Sequence, residues 1–280
     1  MLNELADGVY VEDDFEGGNV GLIMGDEKVL LVDTPMLPPD ARQWQLSLIQ
    51  MNIAEIYGIV NTDYHPEHFA GNAFFLPAIT FGNSLAEKPL SKYDSILEGM
   101  SERYRDGGPS LVEEILRIEI HPPEISVDQR VTLYLGDRRA EVLHLPGHTP
   151  ASLGVYLPES RLLFAGDNIV NNEHPAMYDA DSLAWLDTLE RIKQMDVETI
   201  VPGNGEVCGK EAIDPLYEYI VEMRRRTREL YERGASRREC VDRVGMLDWF
   251  PVPEDQASRI RERRRHSVEQ VYTEIRLASK

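Results

Sequence analysis

Metal-binding residue types are concentrated in four short segments, each of which follows an apolar run. These segments are residues 61–68, 146–150, 166–168 and 202–205. Together they offer His, Asp, Glu and Asn side chains, and imidazole and carboxylate groups are donors that divalent metals prefer in proteins. Loops that follow strands can meet at one edge of a sheet and often carry function. These residues are therefore the first candidates for chemistry, at such an edge.

The elements that would position these segments begin with a predicted β-meander. Three short apolar runs are separated by Gly and acidic residues, at residues 9–11, 19–24 and 28–32. Pro38-Pro39-Asp40 then introduces a helical pattern, and a β-like stretch follows at residues 56–60. This strand–helix–strand unit places residues 61–68 at the carboxyl end of a strand.

A second set of predicted strands follows residues 84–128, where the pattern indicates little beyond a helix around residues 92–104. Its apolar runs lie at residues 130–135, 140–144, 153–157 and 161–165. Ser182 can cap a helix with apolar residues at helical spacing, and a strand at residues 199–201 then runs into the turn at 202–205. The motif segments of this half therefore also follow strands.

The two strand sets and their helices predict an α/β (α+β) domain over residues 1–215. Two sheets packed face to face with helices outside would form a four-layer αββα sandwich. From Leu216 onward the pattern indicates three helical stretches, broken at residues 234–236 and 250–253. These stretches predict a helical C-terminal extension over residues 216–280, packed on the domain or on a second subunit.

Composition excludes several classes of partner. The formal charge of −20 at pH 7 repels nucleic acid and anionic membranes, because both attract proteins through Lys and Arg. No apolar run approaches the roughly 20 residues of a membrane helix, and the first eight residues lack the features of a signal peptide. We therefore expect a cytoplasmic protein without nucleic-acid or membrane partners, in which Cys208 and Cys240 are ordinary thiols.

The predicted extension differs from the rest of the chain in charge. Residues 216–280 hold 15 Lys and Arg against 12 Asp and Glu, whereas residues 1–215 hold 14 against 37. Nearby Glu residues favour the interpretation that the Arg runs at 224–226 and 261–265 form ordinary helix-surface ion pairs. A sharper hypothesis is a homodimer in which the C-terminal helices dock on the acidic body of a second copy.

In order and spacing, the four segments resemble the motifs of the metallo-β-lactamase superfamily. That family reads Thr-His-x-His-x-Asp-His, then Gly-His-Thr, Gly-Asp and Pro-Gly-His-Gly. The chain reads Thr62-Asp63-Tyr-His65-Pro-Glu67-His68, then Gly147-His148-Thr149, Gly166-Asp167 and Pro202-Gly-Asn204-Gly205. Leu31-Val-Asp33-Thr34 also looks like the family's early Asp-Thr strand end. The resemblance spans about residues 5–215 and implies the family's αββα fold.

The resemblance also implies a metal site that is changed at three ligand positions. Asp63 stands in place of the first His, Glu67 in place of the Asp, and Asn204 in place of the last His. By carry-over from the matching positions, one metal position would take Asp63, His65 and His148. The second would take Glu67, His68 and Asp167, with Asp167 bridging. Asn204 would be a weak ligand at best, because an amide oxygen donates less strongly than imidazole.

Charge balance at such a site requires a cation. The carboxylates of Asp63, Glu67 and Asp167 would repel one another if the fold brings them together. The expected cofactor is therefore one or two divalent metal ions. Oxygen donors move preference from zinc toward manganese or iron, although metal supply can override this trend. All three metals stay open, and the longer side chain of Glu67 keeps a single-metal site open as well.

The resemblance implies hydrolysis, in which a metal-bound hydroxide attacks a carbonyl or ester. Esters, lactones, thioesters and amides all fit as small-molecule substrates. The candidate catalytic residues are Asp63, His65, Glu67, His68 and Asp167. Two alternatives stay open: a catalytically silent relative that acts as a binding or regulatory protein, and an iron-dependent oxidative enzyme on the same fold.

Residues near or outside the motifs receive weaker interpretations. Asp33 is expected to accept backbone N–H bonds near the site, and Asn204 to form a turn. His174 follows Asp167 closely enough to be a candidate for substrate binding. The remaining histidines are assigned no catalytic role: His121, His144 and His266. We expect residues 84–128 and the C-terminal helices to line the substrate pocket.

Overall fold

Two sheets form the centre of the computed structural model, which describes residues 2–279. The first sheet has seven strands in chain order: β1 (Leu2–Ala6), β2 (Val9–Glu12), β3 (Val20–Met24), β4 (Val29–Val32), β5 (Gly58–Val60), β6 (Ile79–Gly82) and β7 (Ile125–Ser126). Strands β2 to β4 form the predicted meander, β1 pairs antiparallel with β2 at its edge, and β4 to β7 are parallel. The carboxyl ends of β4 to β7 therefore lie at one edge.

The second sheet has five strands: β8 (Arg130–Tyr134), β9 (Arg139–His144), β10 (Leu153–Leu157), β11 (Leu162–Val170) and β12 (Thr199–Asn204). Their spatial order is β12, β11, β10, β9, β8. Strands β11 and β12 are parallel and the other pairs are antiparallel. This sheet therefore also delivers two neighbouring carboxyl ends to one edge.

Apolar side chains of the two sheets pack against each other in one buried cluster. From the first sheet it includes Val32, Val60 and Phe81, and from the second Val142, Phe164 and Val201. Burial of a Val, Leu, Ile or Phe side chain contributes about 1.5–3 kcal/mol, so this interface holds the sheets in a fixed relation. The loops at their carboxyl edges are thereby held close together.

Helices cover both outer faces of the sandwich. Within the described residues they are α1 (Pro38–Gln50), α2 (Pro66–Phe69), α3 (Glu87–Leu90), α4 (Tyr93–Arg103), α5 (Pro109–Leu116), α6 (Ser182–Gln194), α7 (Ile213–Glu232), α8 (Arg237–Arg243) and α9 (Ala257–Ala278). Helix α1 buries Trp44 against the first sheet. Trp185 of α6 and Leu216 of α7 pack on the second. The predicted four-layer αββα sandwich with a helical C-terminal extension is confirmed.

The C-terminal extension packs on the body of its own chain. Val268 and Val271 of α9 belong to the same buried cluster as Leu163 and Ile169 of β11. Helix α7 begins at Ile213, so the predicted boundary after residue 215 falls inside a helix. The homodimer through these helices stays a prediction.

Two further findings concern individual elements. The apolar pattern of the sequence does not indicate strands β1, β6 and β7. Strand β7 contains only two residues, both exposed, and it is recognised as a strand through its pairing with β6. No helix in the part of the chain that the structure describes combines the length and apolar character needed to cross a membrane.

Candidate metal centre

The four motif segments meet at the edge where the parallel strands of both sheets end. Residues 61–68 follow β5 and lead into α2, and His148 lies in the loop between β9 and β10. The sequence places Asp167 after a strand, but β11 continues to Val170, so Asp167 lies within it. Pairing between β11 and β12 is irregular on both sides of Gly166. This irregularity lets one strand carry both core residues and a site residue.

A glycine on β12 makes room for the Asp167 carboxylate. A Cβ atom added at Gly203 would lie 1.9 Å from Oδ1 of Asp167, which is far inside van der Waals contact. Any side chain at this position would displace the carboxylate or the strand. The Pro-Gly-Asn-Gly motif therefore serves the site through the small size of Gly203 as well as through Asn204.

Asp63, His65 and His148 are buried and bring three donor atoms together. Nδ1 of His65 lies 3.3 Å from Oδ2 of Asp63, and Nε2 of His148 lies 3.5 Å from the same oxygen. The two ring nitrogens are 3.2 Å apart. A tetrahedral ion with bonds of about 2.0–2.1 Å holds its ligand atoms about 3.3–3.4 Å apart. The spacing of the three donors therefore fits a metal ion.

Two carboxylates outside this group orient the rings of His65 and His68, so that one particular ring nitrogen of each faces the centre. Nε2 of His65 lies 3.2 Å from Oδ2 of Asp179, and Nδ1 of His68 lies 2.8 Å from Oδ2 of Asp33. In each pair the ring N–H can donate to the carboxylate, so that the other ring nitrogen, which faces the centre, can present its lone pair to a bound metal ion. Metal-binding histidines are usually held in this way.

Asp33 also accepts hydrogen bonds from Thr62, as expected for this position. The backbone N–H and the hydroxyl of Thr62 each donate to Asp33, both over 2.6 Å. The backbone of Asp33 has φ of 60°, an uncommon conformation for a residue other than glycine, which these bonds help to hold. Burial raises the pKa of Asp33, and His68 and Thr62 oppose that rise.

His68 and Asp167 adjoin the group of three donors. Nε2 of His68 lies 3.7 Å from Oδ1 of Asp63 and 3.8 Å from Oδ2 of Asp167. Both Nε2 of His68 and Oδ2 of Asp63 are buried without a hydrogen-bond partner. A buried polar atom left unpaired costs about 1–3 kcal/mol. A cation in contact with these atoms would remove that cost, so the residues fit the divalent ion that the family implies.

The ionisable groups of the cluster shift one another's pKa. Burial by itself lowers the pKa of His65 and of His68, but the carboxylate of Asp63 raises both well above the ordinary value. Burial raises the pKa of Asp63 and Asp167, but the neighbouring histidines lower both below the ordinary range. For His148 burial prevails, and its pKa is lowered. The two carboxylates thus stay ionised, and the protonated rings of His65 and His68 supply the positive charge beside them, which a bound divalent ion would replace.

Glu67 and Asn204 lie at the mouth of the centre. With Asp167 and Tyr178 they line a cavity of about 160 Å³. The compact group of three donors found among residues 2–279 does not include Glu67. The amide of Asn204 donates to Oδ1 of Asp167 over 2.9 Å, so Asn204 holds this carboxylate in position. Their roles as metal ligands stay predictions.

His174 is buried at a different place, among aromatic residues of the C-terminal half. Its ring contacts Tyr219 and Phe250 edge-on, and Nε2 donates to the carbonyl of Phe250 over 3.1 Å. These contacts attach the segment that contains Phe250, between α8 and α9, to the body of the protein. The predicted role of His174 in substrate binding stays a prediction, since the residues that line the metal cavity do not include it.

The burial of His174 predicts a pH-dependent stability. Burial lowers its pKa below the ordinary 6.5, so the unfolded chain binds this proton more readily than the folded chain. The contribution of His174 to the free energy of unfolding should therefore be highest above pH 6.5 and should fall as the pH drops below it. Urea denaturation at several pH values between 7.5 and 5 measures this change. His174→Gln should show a shallower fall, and an equal fall in both proteins would contradict the assignment.

Several residues of the cavity are not singled out by the sequence motifs. They are Arg103 of α4, Tyr178, and Arg259, Glu262, Arg263 and His266 of α9. Arg263 belongs to a run interpreted as surface ion pairs, and His266 was given no role, yet both line the cavity. Neither has a sequence signal that separates it from its exposed neighbours on α9. Residues of α4 and α9 thus line this cavity, and its role as the substrate pocket stays a prediction.

The family is established by comparison as well as by the site. The family model of the metallo-beta-lactamase superfamily matches residues 13–204. Together with the αββα fold and the donors at its edge, this match shows that the chain belongs to the metallo-β-lactamase superfamily.

Three relatives illustrate the range of proteins to which the chain is similar. A human acyl-coenzyme A thioesterase is 24% identical over 239 residues, covering 75% of the chain and 82% of the relative. A beta-lactamase-like protein 2 homolog from Caenorhabditis elegans is 27% identical, covering 77% of the chain and 64% of the relative. A hydroxyacylglutathione hydrolase from Erythrobacter litoralis is 25% identical, covering 65% of the chain and 61% of the relative. The chain thus spans less than two thirds of the length of the last two relatives.

Solved structures share the fold over nearly the whole chain. A metallo-beta-lactamase family protein from Thermus thermophilus has a TM-score of 0.72 at 20% identity, covering 99% of the chain and 95% of that protein. The sec-alkylsulfatase Pisa1 from Pseudomonas has a TM-score of 0.71 at 15% identity, covering 98% of the chain and 50% of that protein. Such coverage includes the C-terminal helices in the shared fold.

Proposed function

We propose that the chain is a metal-dependent hydrolase of an ester or thioester, with one divalent ion held by Asp63, His65 and His148. The observation that carries this proposal is the convergence of three buried donor atoms at 3.2 to 3.5 Å from one another. His68 and Asp167 adjoin this ion position and complete its charge balance. A bound divalent ion supplies Lewis acidity, which polarises a substrate oxygen and acidifies water.

The protein's own groups orient the site. Asp179 and Asp33 hold the rings of His65 and His68, and Asn204 holds the carboxylate of Asp167. The ring of Tyr178 lies 5.3 Å from that of His65 and lines the cavity. Burial raises the pKa of Tyr178, so its hydroxyl keeps its proton at neutral pH. It can therefore donate a hydrogen bond to a substrate oxygen.

The relatives support an ester or thioester as the substrate class. One is named as an acyl-coenzyme A thioesterase, one as a hydroxyacylglutathione hydrolase and one as a linear primary-alkylsulfatase. The chain keeps His, Asp or Glu donors at six matched positions, which favours a working centre over the catalytically silent alternative. Lactones and amides rank below esters and thioesters, because none of these three relatives is named for the hydrolysis of a lactone or an amide.

Hydrolysis assays test this proposal directly. Protein purified without chelator or metal-affinity resin is supplied with manganese, zinc or ferrous iron. It is then assayed with 4-nitrophenyl butyrate, 4-nitrophenyl hemiglutarate and a short acyl thioester. We expect metal-dependent turnover that falls at least about a hundredfold in His148→Ala, since a metal-supplied nucleophile is lost. Metal-loaded, folded protein without turnover on any of the three would favour a binding or regulatory role.

A further inference from the structure

His68 lies on a helix that cannot fix its own position. Helix α2 contains four residues, and no side chain caps its N-terminus. A single helical turn is unstable in isolation, because its formation orders several residues for one hydrogen bond. The last carbonyl groups of a helix also have no partner within it, and the carbonyl of His68 is one of them. The direction of the His68 ring therefore depends on contacts with other segments.

Two segments that follow strands of the first sheet hold the carbonyl of His68. The backbone N–H of Thr34, after β4, donates to this carbonyl over 3.1 Å. Nδ2 of Asn61, after β5, donates to it over 2.8 Å. Asp33, the neighbour of Thr34, contacts the ring of the same histidine. His68 is thus held at its backbone as well as at its ring.

A buried asparagine, Asn72, keeps the side chain of Asn61 in the orientation that this bond requires. Nδ2 of Asn72 donates to Oδ1 of Asn61 over 2.8 Å, and Nδ2 of Asn61 donates to Oδ1 of Asn72 over 3.1 Å. A carbonyl oxygen can only accept, so the bond to His68 determines which end of the Asn61 amide faces it. Rotation of either amide would bring two donors or two acceptors together.

The surroundings of Asn72 hold it in turn. The hydroxyl of Thr34 donates to Oδ1 of Asn72 over 3.0 Å, and Nδ2 of Asn72 lies 3.5 Å from the carbonyl oxygen of His121. Asn72 and Thr34 are both 0% exposed, so bulk water cannot replace these bonds. A Cβ atom added at Gly71 would lie 2.3 Å from the carbonyl oxygen of Pro35. Gly71 therefore allows the close approach that joins Asn72 to the segment after β4.

We propose that Asn72 is a positioning residue of the metal centre, which acts through Asn61 and the backbone of His68 on the direction of the His68 ring. This inference rests on the proposed metal centre. Within residues 2–279, no hydrogen bond of the Asn72 side chain reaches the side chain of a candidate metal ligand. Its effect on the ion is therefore indirect. Loss of a group that orients a metal ligand commonly weakens metal binding about 10- to 100-fold.

Metal affinity tests this role without requiring turnover. The dissociation constant for Zn²⁺ is measured by competition with a chromogenic chelator in the unmodified chain and in Asn72→Ala. We expect about 10- to 100-fold weaker binding in Asn72→Ala. Asn83→Ala is the matched control, because Asn83 is also buried after a strand and its side chain makes hydrogen bonds with Leu85 and Val127. This control should lose stability in urea but bind Zn²⁺ as tightly as the unmodified chain.

Two further variants test the route through Asn61. Asn61→Ala should also weaken Zn²⁺ binding, and the double variant Asn61→Ala, Asn72→Ala should bind about as weakly as the weaker single variant, because both changes break one route. Losses that multiply in the double variant would overturn this route. Where Asn72→Ala does not fold, Asn72→Ser replaces it, since its hydroxyl offers a smaller polar partner; equal affinity in Asn72→Ser and Asn83→Ala would overturn the proposal.

A spectroscopic measurement separates ligand geometry from stability. The visible absorption spectrum of the Co²⁺-loaded protein reports the geometry of the ligands, and it should change in Asn72→Ala but not in Asn83→Ala. Zn²⁺ affinity that depends on Asn72, without turnover of any ester, would support the positioning role and reject the hydrolase. Turnover with equal Zn²⁺ affinity in Asn72→Ala and Asn83→Ala would overturn the positioning role alone. A folded chain that binds no ion would overturn both.

Discussion

The chain is expected to bind about one divalent ion tightly, and His148→Ala is expected to lose it. His148 supplies one of three donor atoms whose separations match the edges of a tetrahedral site. Loss of a partner outside the ligand set commonly weakens metal binding about 10- to 100-fold. Loss of a ligand should therefore weaken it at least about a hundredfold. Elemental analysis and competition with a chromogenic chelator measure both quantities.

Glu67→Gln is the matched control for this prediction. Glu67 lies at the cavity mouth but outside the compact donor group, so this variant should keep its metal. Circular dichroism of both variants confirms that they are folded. Two ions in the original protein, with one lost in Glu67→Gln, would show that the second position is filled through Glu67. A folded protein that stays metal-free after incubation with manganese, iron and zinc would contradict a working centre.

Arg224→Leu is expected to lower the free energy of unfolding by about 2–3 kcal/mol, less than for a fully buried pair, because it leaves the partly buried carboxylate of Glu274 without its charged partner. Arg224 of α7 donates to Glu274 of α9 over 2.6 Å and to the hydroxyl of Ser182 at the start of α6. Glu274 also accepts the backbone N–H of Ser182 over 3.0 Å. One ion pair thus joins the C-terminal extension to the body.

Two measurements distinguish an unpaired carboxylate from a loss of packing as the cause of this destabilisation: the effect of Glu274→Leu in the same chain, and the effect of pH on the free energy of unfolding. Burial raises the pKa of Glu274, so the unpaired carboxylate of Arg224→Leu should accept a proton at mildly acidic pH and recover part of the loss. Arg224→Leu combined with Glu274→Leu should be less destabilised than Arg224→Leu alone. Urea denaturation at pH 7.5 and 5.5 measures these differences. A loss under about 1 kcal/mol in Arg224→Leu would contradict a docking role.

Sedimentation of the unmodified protein tests the predicted homodimer. Sedimentation at micromolar concentration should show dimers if the C-terminal helices also contact a second copy. A monomer at this concentration would contradict the predicted homodimer. It would agree with the packing of α7 and α9, which already bury their apolar faces against their own domain.

Local patterns in the sequence were sufficient for the fold class and for the core of the site. Strand β10 matches its predicted bounds of 153–157, and α4 lies within the predicted 92–104. Alternating apolar residues and helical spacing reflect short-range geometry, which each segment carries by itself. His65 and His148 could be identified for a related reason, since each lies in a short motif that follows a strand.

Only the tertiary structure decided how these residues are held and what surrounds them. Asp179 reaches His65 across 114 positions of the chain, and Arg103 meets Arg259 beside Glu16. No local pattern encodes such contacts, because they depend on how sheets and helices pack. The hydrogen bond that the amide of Asn204 donates to Asp167 likewise follows from side-chain direction. Packing fixes that direction, and the order of residues along the chain does not reveal it.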